Sequence, residues 1–232
     1  MFEKQEEKWN IKFLLKNTAL ISYPKSGRTW LRMILASVLD YSGQDISKYE
    51  MLPAFHDTPE EMFGRMNQKL STNPEYNLSK LKILFLHRDP GDVVLSSYHA
   101  MTNSTESDAR LGVFYKGTIT EFIRKTYINR TPDQRASSGW EADGGYSIDK
   151  IIEYNNKWYN VREGYRRIGI PESFKVVTYE EMHQDPFKTI KGILDWAEYD
   201  CGDEVIKKAI KYSEFENMWK IEHGHGKNNL EH

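Results

Sequence analysis

Residues 18–31 read TALISYPKSGRTWL, and the reading of this stretch decides the fold. Thr18–Tyr23 is a short apolar run bounded by turn residues, the pattern of a parallel strand buried on both faces. After the turn, Thr29–Tyr41 places Leu31, Ile34, Leu35 and Val38 on one helical face. A strand, a tight turn and a helix in this order direct several backbone N–H groups outward at a helix N-terminus, where the helix dipole favours an anion. Gly27 permits a backbone shape and a close approach that a side chain would block. Ser26 and Thr29 add hydroxyl donors, and Lys25 and Arg28 add positive charge. Together these residues form an anion cradle. It is not a Walker loop, because no second glycine precedes and the lysine comes before the glycine.

Working outward, Lys82–Leu86 (KILFL) and Phe174–Thr178 (FKVVT) repeat the strand pattern. Asp89-Pro90-Gly91-Asp92 opens a helix that runs on through Val93–Met101, with proline in the first turn. Glu180–Met182 starts another, which Pro186–Ala197 continues. Thr118–Tyr127, Ser147–Arg167, Asp203–Tyr212 and Glu214–Glu222 are further expected helices. The rest of Thr102–Gly145 is rich in Ser, Thr, Gly and charge and reads as a loop or lid. Strands alternating with helices predict an α/β fold, a single domain with a central parallel β-sheet flanked by helices. Leu230-Glu231-His232 reads as a tag remnant, so the domain is expected over residues 1–229.

Composition narrows the function. Lys and Arg total 32 against 34 Asp and Glu, a formal net charge of −2. Without a global basic field, nucleic-acid binding is disfavoured, and any anion site must be a local cluster. The single cysteine, Cys201, excludes an internal disulfide framework and a cysteine-rich zinc site. No apolar run approaches the roughly 18 residues of a membrane span. No signal-peptide core is seen in Met1–Lys16, so no membrane association and a cytoplasmic location are expected. No cluster of His, Cys and Asp has metal-ligand spacing, and His223-Gly224-His225 reads as solvated tail, so no metal is expected.

Three motifs in order carry a resemblance. Pro24-Lys25-Ser26-Gly27-x-Thr29-Trp30-Leu31 resembles the 5′-phosphosulfate loop of sulfotransferases that use 3′-phosphoadenylyl sulfate (PAPS). Arg88 after a strand, with Ser96 eight residues on, resembles the family's second signature. Tyr179-Glu180-Glu181-Met182 followed by Asp185-Pro186 resembles its third. The similarity spans about Leu20 to Glu222 and implies a P-loop-like sulfotransferase fold.

The resemblance also implies roles. PAPS is the expected donor and adenosine 3′,5′-bisphosphate (PAP) the product. Lys25 is expected to hold the 5′-phosphate and to neutralise the bridging oxygen as the S–O bond breaks. Ser26, Gly27, Arg28 and Thr29 are expected to donate to the 5′-phosphate, and Trp30 to stack on the adenine. Arg88 would fork onto the 3′-phosphate with Ser96 beside it. Tyr179 and Phe215 would meet the adenine. His56 lies where the family keeps its base and is expected to take the acceptor's proton, with His99 and Asp57 as alternatives. Phe55, Tyr98, His99 and Trp140 are expected to line the acceptor site, with Tyr49 and Phe114 as further candidates.

The expected acceptor is a small molecule with a hydroxyl group. Asp57, Asp108, Glu141 and Asp143 would suit a polar or cationic natural product. The sequence departs from the family in two places. No Arg-Lys-Gly loop is found near its end, and Ala54 and Phe55 stand where a lysine is often found just before the histidine. Two other readings stay open here, a nucleotide-dependent small-molecule kinase using Asp89 and Asp92, and a catalytically inactive nucleotide-binding protein.

Overall fold

Thr18–Ser22 forms β1, and all five of its residues are buried. This is why the run lacks polar alternation: side chains on both faces meet helices. The structure, a computed structural model, describes residues 18–43, 54–70, 81–102, 117–124 and 148–222. In chain order, β1 is followed by α1 (Arg28–Tyr41), β2 (Ala54–Phe55), α2 (Pro59–Leu70), β3 (Lys82–His87), α3 (Pro90–Thr102) and α4 (Ile119–Arg124). Then come α5 (Ile148–Arg167), a short 3₁₀ turn at Pro171–Ser173, β4 (Phe174–Thr178), α6 (Tyr179–Gln184), α7 (Pro186–Trp196), α8 (Asp203–Tyr212) and α9 (Phe215–Glu222).

The strands pair in the order β2-β1-β3-β4, all parallel. Leu20 sits opposite Leu84 across β1 and β3, and Leu84 opposite Lys175 across β3 and β4. Alternate residues serve two cores. Leu20, Leu84, Leu86 and Val177 pack with Leu31, Ile34, Leu35 and Val38 of α1 and with apolar residues of α6, α7 and α8. Ala19, Ile21, Ile83, Phe85 and Phe174 pack on the other face with Met62, Val93, Val94, Ile151, Tyr154 and Trp158. The fold is therefore a single-domain α/β arrangement with helices on both faces of a parallel sheet, as expected.

The path from β1 to β2 crosses through α1 on one face. The path from β3 to β4 runs in the opposite direction and crosses through α3 and α5 on the other, as right-handed crossovers require. The order therefore reverses between β1 and β3, and in such sheets ligands bind beyond the carboxyl ends of the strands at that reversal.

Two elements are absent from the sequence reading. β2 has only two residues, too few to show a period. α2 has few apolar residues, but its start carries a readable signal, Thr58-Pro59-Glu60-Glu61. The Glu61 carboxylate accepts the Thr58 N–H at 2.9 Å, and the Thr58 hydroxyl accepts the Glu61 N–H at 3.4 Å, a capping box. The expected helix Thr118–Tyr127 is described as Ile119–Arg124, and its last residues lie outside the described residues.

Candidate active site

Four strand ends deliver the site. β1 runs into Tyr23–Gly27, β2 into His56, β3 into Arg88 and β4 into Tyr179. After β1 the chain folds tightly, the Ser26 N–H donating to the Tyr23 carbonyl at 3.3 Å. Lys25 adopts φ 66° and Gly27 φ 92°, both in the left-handed region. At Gly27 there is also no room, because a Cβ would lie 2.5 and 2.9 Å from ring carbons of Tyr179. Gly27→Ala therefore meets strain and a clash together. We expect it to cost about 1–3 kcal/mol, read as a lower midpoint in thermal unfolding. An unchanged midpoint would show that Tyr179 swings aside and the loop relaxes.

α1 begins at this loop with no side-chain cap and no acidic residue in its first turn. The other helices at the strand ends are capped: Asp89 accepts from the Gly91 and Asp92 N–H groups, Thr178 forms a capping box with Glu181, and Asp185 accepts from Lys188. The first-turn N–H groups of α1 therefore stand available to an anion. The Ser26 hydroxyl beside them is buried and has no hydrogen-bond partner.

Arg88 closes the loop from the next strand. Its Nη1 donates to the Lys25 carbonyl at 3.1 Å, and its guanidinium lies 4.0 Å from the centre of the Tyr179 ring. Its Nε is buried without a partner. Trp30 and Tyr179 meet edge-on at 6.0 Å, and His183 lies 6.4 and 6.1 Å from them, forming an aromatic rim beside Gly27. Among the described residues, no carboxylate forms an ion pair with Lys25, Arg28, Arg32 or Arg88. Cations clustered without counter-charges, an open helix N-terminus and an orphaned hydroxyl fit a polyanionic ligand.

His56 stands one strand over. The carbonyl of Ser22 lies 3.3 Å from its Nδ1. Arg28 Nη1 lies 3.1 Å from Nδ1, and Nη2 reaches Nε2. Burial, and after it the Arg28 charge, lower the His56 pKa to about 4, partly offset by the Ser22 bond. Burial lowers the Arg28 pKa to about 10, with Arg32 adding to the effect. Arg32 and Tyr154, both electrostatically coupled to Arg28, were not among the expected site residues. Arg32 had a signal: it follows Arg28 by four positions, so the two share a helix face.

The other expected residues are spread more widely. Thr29 is exposed and Ser96 half-buried, while its neighbour Ser97 is buried and donates to the Val93 carbonyl at 2.7 Å. Tyr98 packs on Phe122 and its hydroxyl donates to the Gly117 carbonyl at 3.0 Å, so this residue ties α4 to α3. His99 is exposed beside it. Phe215 is 79% exposed at the start of α9. His87 is half-buried between Phe85 and Tyr159. Asp89, imagined as a metal carboxylate in the kinase reading, is engaged in capping α3. The Phe55 side chain, Tyr49, Asp108, Phe114, Trp140, Glu141 and Asp143 lie outside the described residues.

Comparison with known proteins follows the same lines. The family described as the sulfotransferase domain matches residues 15–225. Mouse sulfotransferase 2A6 is 25% identical over 226 residues, covering 89% of this chain and 68% of that protein. The 3-beta-hydroxysteroid sulfotransferase of Cavia porcellus is also 25% identical over 226 residues, with the same coverage. Among solved structures, mouse sulfotransferase SULT7A1 complexed with PAP matches with a TM-score of 0.59 and 20% identity, over 94% of this chain and 71% of that one. Retinol dehydratase in complex with androsterone and inactive cofactor PAP matches with a TM-score of 0.52 and 15% identity, over 88% and 66%. These neighbours share the α/β architecture described above.

Proposed function

We propose that this chain, which belongs to the sulfotransferase domain family, moves a sulfuryl group from PAPS to the hydroxyl of a small molecule. The observation that carries this reading is the meeting of Arg88 with the Lys25 carbonyl, which sets a cation from β3 against the open anion loop after β1. When bound, PAPS supplies an activated sulfuryl group and departs as PAP. Lys25 and the first-turn N–H groups of α1, with Ser26 and Thr29, would hold the 5′-phosphate. Arg88, with Ser96, would hold the 3′-phosphate. Trp30 would stack on the adenine, Tyr179 would meet its edge, and Phe215 is assigned the outer side of that site.

His56 takes the role of base, receiving the proton of the acceptor hydroxyl as its oxygen attacks sulfur. Lys25 neutralises the charge that grows on the oxygen released from sulfur, where a fixed cation acts most strongly. Phe55, Tyr98, His99 and Trp140 are assigned to the acceptor side. Arg28 and Arg32 beside His56 favour a neutral or anionic acceptor over a cationic one. No helix among the described residues is long and apolar enough to cross a membrane.

Thermal unfolding with PAP, compared with ATP and Mg²⁺, tests the reading. PAP at 100 times its Kd should add about 2.7 kcal/mol, a shift on the order of 5–10 °C. The shift should vanish in Arg88→Ala. A shift with ATP and Mg²⁺ alone would replace this reading with the kinase. No shift with PAP would overturn it.

A further inference from the structure

We propose that Arg28 is a latch on the base: its guanidinium holds the basic nitrogen of His56 until an anionic donor enters the loop and draws it away. This rests on the reading of the loop as the donor site and goes beyond it, because it assigns Arg28 a second partner.

The argument begins with the tautomer. Nδ1 faces the Ser22 carbonyl at 3.3 Å, which can only accept, and Arg28 Nη1 at 3.1 Å, which can only donate. A neutral ring has one lone pair. Placing it on Nε2, where Nη2 makes the closer approach, leaves the Nδ1–H to the Ser22 carbonyl. Nε2 is thus the nitrogen able to take a proton from an acceptor, and it is already occupied. A fixed cation at that position also opposes formation of the imidazolium. His56 can act only after Arg28 leaves or finds an anion.

The same side chain has nowhere else to go among the described residues. Arg28 is the first residue of α1, directly after Gly27, and forms no ion pair with a carboxylate. The charge most strongly coupled to it is another cation, Arg32, one turn along the same helix. Guanidinium bonds to phosphate or sulfate are charge-assisted, so they outcompete a bond to a neutral imidazole. A donor anion bound at the N-terminus of α1 would therefore recruit Arg28 and release Nε2. The remaining ionisable groups of this corner are Tyr23 after β1, Asp57 beside His56, Glu61 on α2, and Tyr154 on α5. The charges that shift His56 are those of Arg28 and, more weakly, Arg32.

The test is an imidazole nitrogen NMR titration of the intact chain, free and saturated with PAP, with His56 assigned by its loss in His56→Gln. PAP binding is confirmed separately by thermal shift. In the free protein His56 should titrate at about 4 as the Nδ1–H tautomer. With PAP its pKa should rise by at least about one unit, tenfold in proton affinity. In Arg28→Gln the free pKa should already be higher, and PAP should raise it by clearly less. Arg28→Met, which keeps part of the packing stem, serves the same purpose if the glutamine variant is unstable. An equal rise in wild type and both variants would mean that the anion acts directly on His56, and it would overturn the latch. PAP binding with no rise in wild type would overturn the latch and leave the donor site standing. Absence of PAP binding would overturn both.

Discussion

His56→Ala is expected to lower the rate of sulfuryl transfer by about 10²–10⁴-fold, the usual contribution of a positioned general base. The measurement is transfer of radiolabelled sulfuryl from PAPS to a panel of small alcohols and phenols at saturating donor. PAP should still raise the unfolding temperature of the variant, because none of the residues assigned to the phosphates is changed. A rate within a few-fold of wild type would move the role of base to Asp57 or His99. The histidine has a pH signature as well. Its active form is neutral, and burial followed by the Arg28 charge holds its pKa at about 4 in the free protein. The acid limb of kcat/KM, which reports the free enzyme, should therefore lie below the ordinary histidine value of about 6.5. Stability follows with a definite sign. The unfolded chain binds a proton at this residue below about 6.5, whereas the folded chain does so only near 4. Stability attributable to His56 is thus intact above pH 6.5 and is lost as the pH falls from there towards 4. His56→Gln should flatten that part of the stability profile.

The second large effect is at Lys25. Removing its amine is expected to reduce kcat by about 10²–10³-fold, the scale seen when one preorganised charge-stabilising group is lost. Lys25→Gly is the cleaner variant. Lys25 holds φ 66°, which glycine adopts freely and alanine does not. The backbone carbonyl that accepts from Arg88 is retained in either case. The glycine variant should therefore unfold no earlier than wild type, and its rate loss can be assigned to the missing charge. The two roles given to Lys25 separate in the kinetics. A fall in kcat larger than the fall in PAP affinity marks a contact that strengthens in the transition state. Loss of affinity with kcat unchanged at saturation would restrict Lys25 to holding the donor.

Much of the fold was legible because buried parallel strands carry their own signal. Thr18–Ser22, Lys82–His87 and Phe174–Thr178 are apolar on both faces, since Leu20 and Leu84 face one core while Ile21 and Phe85 face the other. The helices that follow show their stripes for the same reason, as with Leu31, Ile34, Leu35 and Val38. β2 and α2 were not read from the sequence. A two-residue strand has no period, and the readable start signal of α2 is its capping box at Thr58 and Glu61. In the site, the anion loop was legible from Lys25 to Trp30 because it is continuous in the chain. Its chemistry lies in local backbone geometry, which Gly27 and the uncapped α1 determine.

The sequence by itself determined the strand–loop–helix unit at residues 18–41, the local cation cluster and the family motifs that go with it. Only the tertiary structure decided which side chains meet across the chain. Arg88 reaches the Lys25 carbonyl across 63 positions because β3 pairs directly with β1 in register. Arg28 reaches His56 across 28 positions because the two-residue β2 docks on the other side of β1. The local pattern says that each strand is buried but not which strand it pairs with. That choice follows from the right-handed crossovers that place α1 on one face and α3 and α5 on the other. It makes Arg28 a partner of the histidine as well as a member of the anion loop.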